Sequence, residues 1–186
     1  MSGALQMRRA DRLMSDERAR AMLAAGFCGR LGTVGADGLP YVVPLLYVWM
    51  DGEVYVHRTK GPGHLADNLR ANPRVCFEID TPEEVFAYGR YECDTGLAYA
   101  SVIAFGTMRV VDEPEHKTRF CVELMRKYAD ASWNRPKDFF PRFDEIAVYA
   151  MAIDRLTGKE LALPEVSRRW PALDRTKSPN AIPPAR

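Results

Sequence analysis

Tyr41-Val42-Val43-Pro44-Leu45-Leu46-Tyr47-Val48-Trp49-Met50-Asp51-Gly52-Glu53-Val54-Tyr55-Val56-His57-Arg58 is the stretch on which the fold turns. Residues 41–50 are apolar on both faces of an extended chain, and their valine, tyrosine and tryptophan content suits a pleated strand. Asp51-Gly52 supplies the positive φ of a tight turn, so Glu53 to Arg58 returns as the next arm of a hairpin. On the N-terminal side, Gly35-Ala36-Asp37-Gly38 is a second hairpin turn. It pairs Phe27 to Val34 with the strand that starts at Tyr41. Such near-continuous apolar strands in hairpin order predict a closed or double-covered antiparallel structure.

Past the hairpin the chain reads Thr59-Lys60-Gly61-Pro62-Gly63-His64-Leu65. The strand ends in His57, Arg58, Thr59 and Lys60, glycine and proline turn it, and a short helix spans His64 to Asn72. A helix N-terminus carries unpaired N–H groups and partial positive charge. Cationic and hydroxyl side chains beside it make a phosphate cradle. The same composition also describes a solvated loop with ordinary surface charge.

Further along, Ser15 caps a helix to about Ala25, with Asp16 and Glu17 in its first turn. Arg74 to Asp80 is a strand, Thr81 to Gly96 reads as a loop, and Leu97 to Val111 is a strand with a bulge at Gly106. A helix runs from Pro114 to Ala129, with Phe120, Cys121, Leu124, Met125 and Tyr128 as its apolar stripe. Trp133 to Phe143 is an aromatic, proline-rich connection. Glu145 to Asp154 closes the sheet, and Thr157-Gly158-Lys159 turns out of it. About six strands and three helices in hairpin order favour an antiparallel β-barrel with flanking helices, a mainly β (α+β) fold. Residues 1–162 form the folded domain and 163–186 a proline-rich C-terminal extension.

The chain has 186 residues, 47% hydrophobic and 27% charged, with a formal net charge of +1. That balance gives no electrostatic footprint for nucleic acid or a membrane. No apolar run reaches the ~18 residues a membrane helix needs. Met1 to Arg12 is polar and lacks an apolar signal core, so a cytoplasmic protein is expected. The four cysteines have no C-x-x-C spacing and no clustered histidine, so no metal site is expected. Cys28, Cys76 and Cys121 read as buried and Cys93 as more exposed. No G-x-G-x-x-G or G-x-x-x-x-G-K-[ST] occurs.

The succession Gly-x-Asp-Gly, Tyr41 to Tyr47, Asp51-Gly52, Val54 to His57, Gly63-His64 and Asn72-Pro73-Arg74-Val75-Cys76-Phe77-Glu78 resembles the flavin-binding split-barrel family that includes pyridoxamine 5′-phosphate oxidase. Tyr99-Ala100-Ser101-Val102-Ile103, Phe105-Gly106 and Leu156-Thr157-Gly158-Lys159-Glu160 extend the likeness over roughly residues 8–160. Within that family the chain is most similar to the nitroimidazole-reductase branch.

The resemblance implies a six-stranded split barrel with Greek-key character that works as a homodimer, with FMN at the subunit interface. Val43, Pro44 and Leu45 would lie along the flavin and its ribityl chain. His57, Arg58, Thr59 and Lys60 would meet the ribityl phosphate. Ser101 would lie near the flavin, and His64 beside it as the catalytic residue. Tyr47, Tyr99 and Trp133 are candidate walls for an aromatic acceptor. Position 65 usually carries Lys or Arg in this family and here is Leu65, so either Arg58 and Lys60 take over that charge or flavin affinity is reduced. The C-terminal arginine-histidine signature of vitamin B6 oxidation is not found. The implied function is an FMN-dependent oxidoreductase acting on a nitro-aromatic or similar small acceptor. The alternatives are a non-catalytic flavin module, or a split barrel using haem or a deazaflavin.

Overall fold

A computed structural model describes residues 7–87 and 93–165. Among them, seven strands form one antiparallel sheet in the order β2-β1-β5-β6-β7-β4-β3. These are β1 (Gly29–Val34), β2 (Pro40–Leu45), β3 (Tyr47–Met50), β4 (Glu53–Thr59), β5 (Arg74–Ala87), β6 (Thr95–Val111) and β7 (Ile146–Leu161). Three α-helices flank the sheet: α1 (Asp16–Ala25), α2 (His64–Ala71) and α3 (Pro114–Tyr128).

The strand expected over Tyr41 to Met50 is two strands. β2 pairs with β1, matching Leu31 to Val43, whereas β3 pairs with β4, matching Tyr47 to Val56. β2 and β3 are therefore the two edges of the sheet, and Leu46 alone joins them. The barrel is closed by the chain at this point and not by a ladder of hydrogen bonds, which is what splits it.

The seam leaves backbone groups that must find partners elsewhere. The C-terminal turn of α3 provides them. Tyr47 N–H donates to the Tyr128 hydroxyl at 3.2 Å, and that hydroxyl lies 2.7 Å from Phe27 O and 2.9 Å from Tyr47 O as a donor. Lys127 Nζ donates to Tyr47 O at 3.2 Å and stands 3.8 Å above the Tyr47 ring. Burial there draws the Lys127 pKa down to about 8.

Two apolar cores result. One fills the barrel, with Leu31, Tyr47, Val54, Val56, Phe77, Val102 and Met151, and α1 adds Ala19 and Leu23. The other lies on the opposite face of β3, β4 and β7, where Phe120, Cys121 and Leu124 of α3 cover Val48, Tyr55 and Val148. Ser15 Oγ caps α1 by accepting from Arg18 N–H, and Pro114 opens α3, both as the sequence signals imply.

Two segments differ from expectation. The loop expected over Thr81 to Gly96 is largely strand, since β5 and β6 stay paired out to Ala87 and Thr95. A register shift between Pro82 and Val85 absorbs the residues that broke the alternation. Thr157-Gly158-Lys159 continues β7, facing Ile103, Val102 and Ser101 across the ladder. The bulge expected near Gly106 is present, between Phe105 and Gly106. Most of the proline-rich extension, from residue 166 on, lies outside the described residues. Among the described residues no helix is long and apolar enough to cross a membrane.

Candidate functional site

β4 ends at Thr59, and the chain then turns through Gly61 and Gly63, which have φ of 120° and 152°. Only glycine enters such conformations without strain. Arg58 holds the turn, with Nη2 donating to Gly61 O at 2.7 Å and Pro62 O at 3.2 Å. A guanidinium has five N–H donors, so these bonds leave Arg58 with donors for an anion. Lys60 N–H donates to Glu145 O at 2.7 Å, which fixes the end of the strand against the approach to β7.

Gly63 then caps α2, and His64 is its first residue. The His64 ring lies 5.6 Å from the Tyr41 ring, tilted by 33°. The start of α2 therefore stands beside β2, the strand on which Val43, Pro44 and Leu45 lie. One edge of β2 has no strand partner, so a planar ligand can reach its backbone groups. Val43 and Leu45 pack toward the barrel core, whereas Pro44 is exposed. Leu65 also packs on the core and is part of the α2 anchor.

The strand period separates the remaining candidates. Val54 and Val56 of β4 face the barrel core, whereas Tyr55 faces the α3 side. His57 follows Tyr55, and its ring is 5.6 Å from that of Phe120 on α3. It therefore faces away from the Arg58 turn. Ser101 lies in mid-sheet on β6, across from Asp80 and Lys159. Arg30 is ion-paired to that Asp80 at 2.5 Å and to Glu78 at 3.4 Å. Tyr47 is fully buried and cannot line an open site, whereas Trp133 is exposed. Cys121 is buried and Cys93 exposed, as expected, but Cys28 and Cys76 are half-buried.

Burial holds the His57 pKa below its ordinary 6.5. Its Nδ1 is buried without a hydrogen-bond partner among the described residues. The unfolded chain takes up this proton near pH 6.5 and the folded chain only below it. The stabilisation is thus full above pH 6.5 and is lost as pH falls through the folded value. Urea unfolding midpoints should drop between pH 7 and pH 5, and His57→Phe should flatten that drop. An identical acid limb in the variant would assign the loss to other groups.

One feature of the site was not singled out from the sequence. A groove of about 680 Å³ crosses the outer face of β2, β1, β5, β6 and β7, lined among others by Gly32, Val42, Arg74, Cys76, Phe105 and Arg155. Arg155 lies over the Phe105 ring, 4.3 Å from its centroid. The i, i+2 alternation of Arg74, Cys76 and Glu78 was the available signal that this face is not core. Burial pushes up the pKa of both the Cys76 thiol and the Glu78 carboxyl. Among the described residues no cluster of His, Cys, Asp and Glu could hold a metal ion.

Solved structures share this fold. A candidate 5-nitroimidazole antibiotic resistance protein from Bacteroides thetaiotaomicron is 20% identical, with a TM-score of 0.65 over 79% of this chain and 85% of its own. A FAD-binding protein from Mesorhizobium loti is 26% identical, with a TM-score of 0.59 over 81% of this chain and 98% of its own. A flavocytochrome from Azotobacter vinelandii is 17% identical, with a TM-score of 0.72 over 97% of this chain and 91% of its own. No curated protein matches the chain. The family model for pyridoxamine 5′-phosphate oxidase matches residues 15–160, from the cap of α1 into the last strand, and the chain belongs to that family.

Proposed function

We propose that this chain binds FMN along the free edge of β2, with the phosphate at the Arg58 turn, and acts as a flavin-dependent oxidoreductase. The observation that carries the reading is the meeting of three features. These are an unpaired strand edge at Val43 to Leu45, a glycine turn held by Arg58, and an imidazole, His64, beside Tyr41 at the start of α2. The residues present fit a flavin: β2 offers backbone groups to the ring, and Arg58 and Lys60 would stand at the phosphate end, whereas Thr59 shares the strand face of His57.

When bound, the flavin supplies electrons to an acceptor, as hydride or singly. The chain's own residues do the rest. Arg58 and the turn anchor the phosphate, and β2 orients the ring plane. His64 Nδ1 or Nε2 holds a proton for the acceptor's developing negative charge, since an imidazole nitrogen can donate a hydrogen bond. A small aromatic acceptor such as a nitro-aromatic is the acceptor of this reading, and Trp133, which is exposed, is a candidate wall for it. In this reading the protein is a cytoplasmic homodimer. Its second copy covers the outer sheet face, where Val34, Val42, Ile103 and Phe105 are exposed.

Leu65 favours a second reading, because the apolar residue at a phosphate-contact position weakens the grip on FMN. The fold would then carry a flavin without turnover, or haem or a deazaflavin instead. The visible spectrum of the purified protein separates these readings. Two flavin bands, with FMN released on denaturation, are expected. A Soret band, or a colourless protein that takes up no FMN, would overturn the proposal. Given FMN at saturating concentration, His64→Ala should still take up the cofactor, with weakened affinity, and lose about 10²- to 10⁴-fold in turnover of a nitro-aromatic acceptor. Unchanged turnover would remove His64 from the chemistry.

A further inference from the structure

α2 buries a polar residue where an apolar one would pack. Asn68 is 8% exposed and lies on the inner face of the helix with Leu69. Its Nδ2 donates to Thr33 Oγ1 at 2.9 Å, and Thr33, on β1, is 2% exposed. Thr33 Oγ1 donates in turn toward Tyr41 O at 3.4 Å, across the β1–β2 ladder in which Thr33 and Tyr41 are partners. Tyr41 is also the residue whose ring faces His64.

These contacts close a ring. His64 and Asn68 are one helical turn apart, so they lie on one side of α2. Asn68 reaches Thr33, Thr33 reaches the Tyr41 backbone, and the Tyr41 ring returns to His64. Leu65 and Leu69 already supply the helix with apolar contacts to the barrel core. Those contacts are non-directional and tolerate small rotations of the helix. A buried hydrogen-bonded pair does not, because a shift leaves both groups desolvated and unmatched.

We infer that Asn68 and Thr33 are positioning residues, which fix the rotation of α2 and thereby hold the His64 imidazole against Tyr41 at the edge of β2. The inference rests on the proposed flavin reading only for its consequence on ligand binding. The geometry it sets is present in the protein alone.

The test uses Thr33→Val, which removes the hydroxyl at nearly constant volume, and Thr33→Ser, which keeps it. Each is measured alone and with His64→Ala. The readouts are the His64 ring proton shifts in NMR spectra of the flavin-free protein, the thermal midpoint, and FMN affinity. Thr33→Val should move the His64 shifts as the Tyr41 ring current changes, and weaken FMN about fivefold, the worth of one hydrogen bond. Thr33→Ser should restore both. With His64→Ala, Thr33→Val should still lower the midpoint and no longer change FMN affinity.

Unmoved His64 shifts in folded Thr33→Val would overturn the inference. So would an equal loss of FMN affinity in both His64 backgrounds. If His64→Ala binds FMN as tightly as the parent, it is the placement of flavin beside His64 that fails, and the ring shifts alone decide the positioning role. Should Thr33→Val not fold, Thr33→Val/Asn68→Leu removes both polar partners together and is read the same way.

Discussion

Phe77→Ala should lower the unfolding free energy by about 3–5 kcal/mol, the largest stability loss expected from one side chain in this protein. Phe77 is fully buried in β5, at the centre of the barrel core. Its ring meets the Tyr47 ring edge-on, with centroids 4.9 Å apart. Tyr47 in turn donates its hydroxyl to Leu23 O at 2.6 Å, so Phe77 backs the contact that ties α1 to the seam. The space for the ring is made on β1, where Gly29 has no side chain. A Cβ at Gly29 would stand 2.0 Å from Phe77 Cζ. Gly29→Ala should therefore cost about 1–3 kcal/mol by overpacking.

The two substitutions touch the same space, so they should not add. In the Phe77→Ala background, Gly29→Ala should cost little or become stabilising, because the methyl then enters the cavity. Urea unfolding of the four proteins measures this coupling, with the m-value unchanged if the denatured state is unaltered. Additive losses would mean that the Phe77 ring does not occupy the space above Gly29.

Much of this architecture is legible in local sequence, and the illegible parts share a cause. Ser15, Pro114 and the Asp-Gly turns act over a few residues, and each marks an element end that the structure retains. Leu46 carries no such mark. It is apolar among apolar residues, and the strand breaks there only because its two halves pair with β1 and β4, on opposite edges of the sheet. Pro82, Glu83 and Glu84 look like a loop because they interrupt the alternation. The β5–β6 ladder passes them with a register shift, and Val85 and Phe86 resume pairing with Leu97 and Gly96. Tertiary pairing overrides local composition in both places.

The site divides in the same way. The Arg58 turn was readable, since glycines flank a proline directly after a strand and the loop closes on itself. The separation of His57 from Arg58 was readable too: the strand period of two puts neighbours on opposite faces, and His57 shares a face with Tyr55. The pairing of Tyr41 with His64, and of Thr33 with Asn68, spans residues far apart in sequence. No local pattern encodes those contacts. The outer groove arises likewise from residues on several strands, and Arg74 and Arg155 meet there only once β5, β6 and β7 are in register.

Arg58→Ala should weaken FMN binding by about 10- to 140-fold, the loss expected for a charge-assisted hydrogen bond worth about 1.5–3 kcal/mol. With Leu65 packed on the core, the positive charge at the turn falls to Arg58 and Lys60. Arg58 is the better placed of the two, because the Gly61 and Pro62 carbonyls hold its guanidinium at the mouth of the turn. A planar guanidinium suits phosphate oxygens, and holding it in advance reduces the ordering cost of binding. The variant also loses its bonds to the turn, so weaker binding by itself would not identify the phosphate. Riboflavin resolves this, since it shares the ring and ribityl chain and lacks the phosphate. In the parent protein FMN should bind more tightly than riboflavin. In Arg58→Ala the FMN affinity should fall toward that of riboflavin, whose own affinity should change little. Arg58→Lys should recover part of the FMN preference through charge alone. An equal loss for both ligands would mean that Arg58 shapes the turn and does not hold the phosphate. The anion would then have to be held by Lys60 and the backbone N–H groups that open α2.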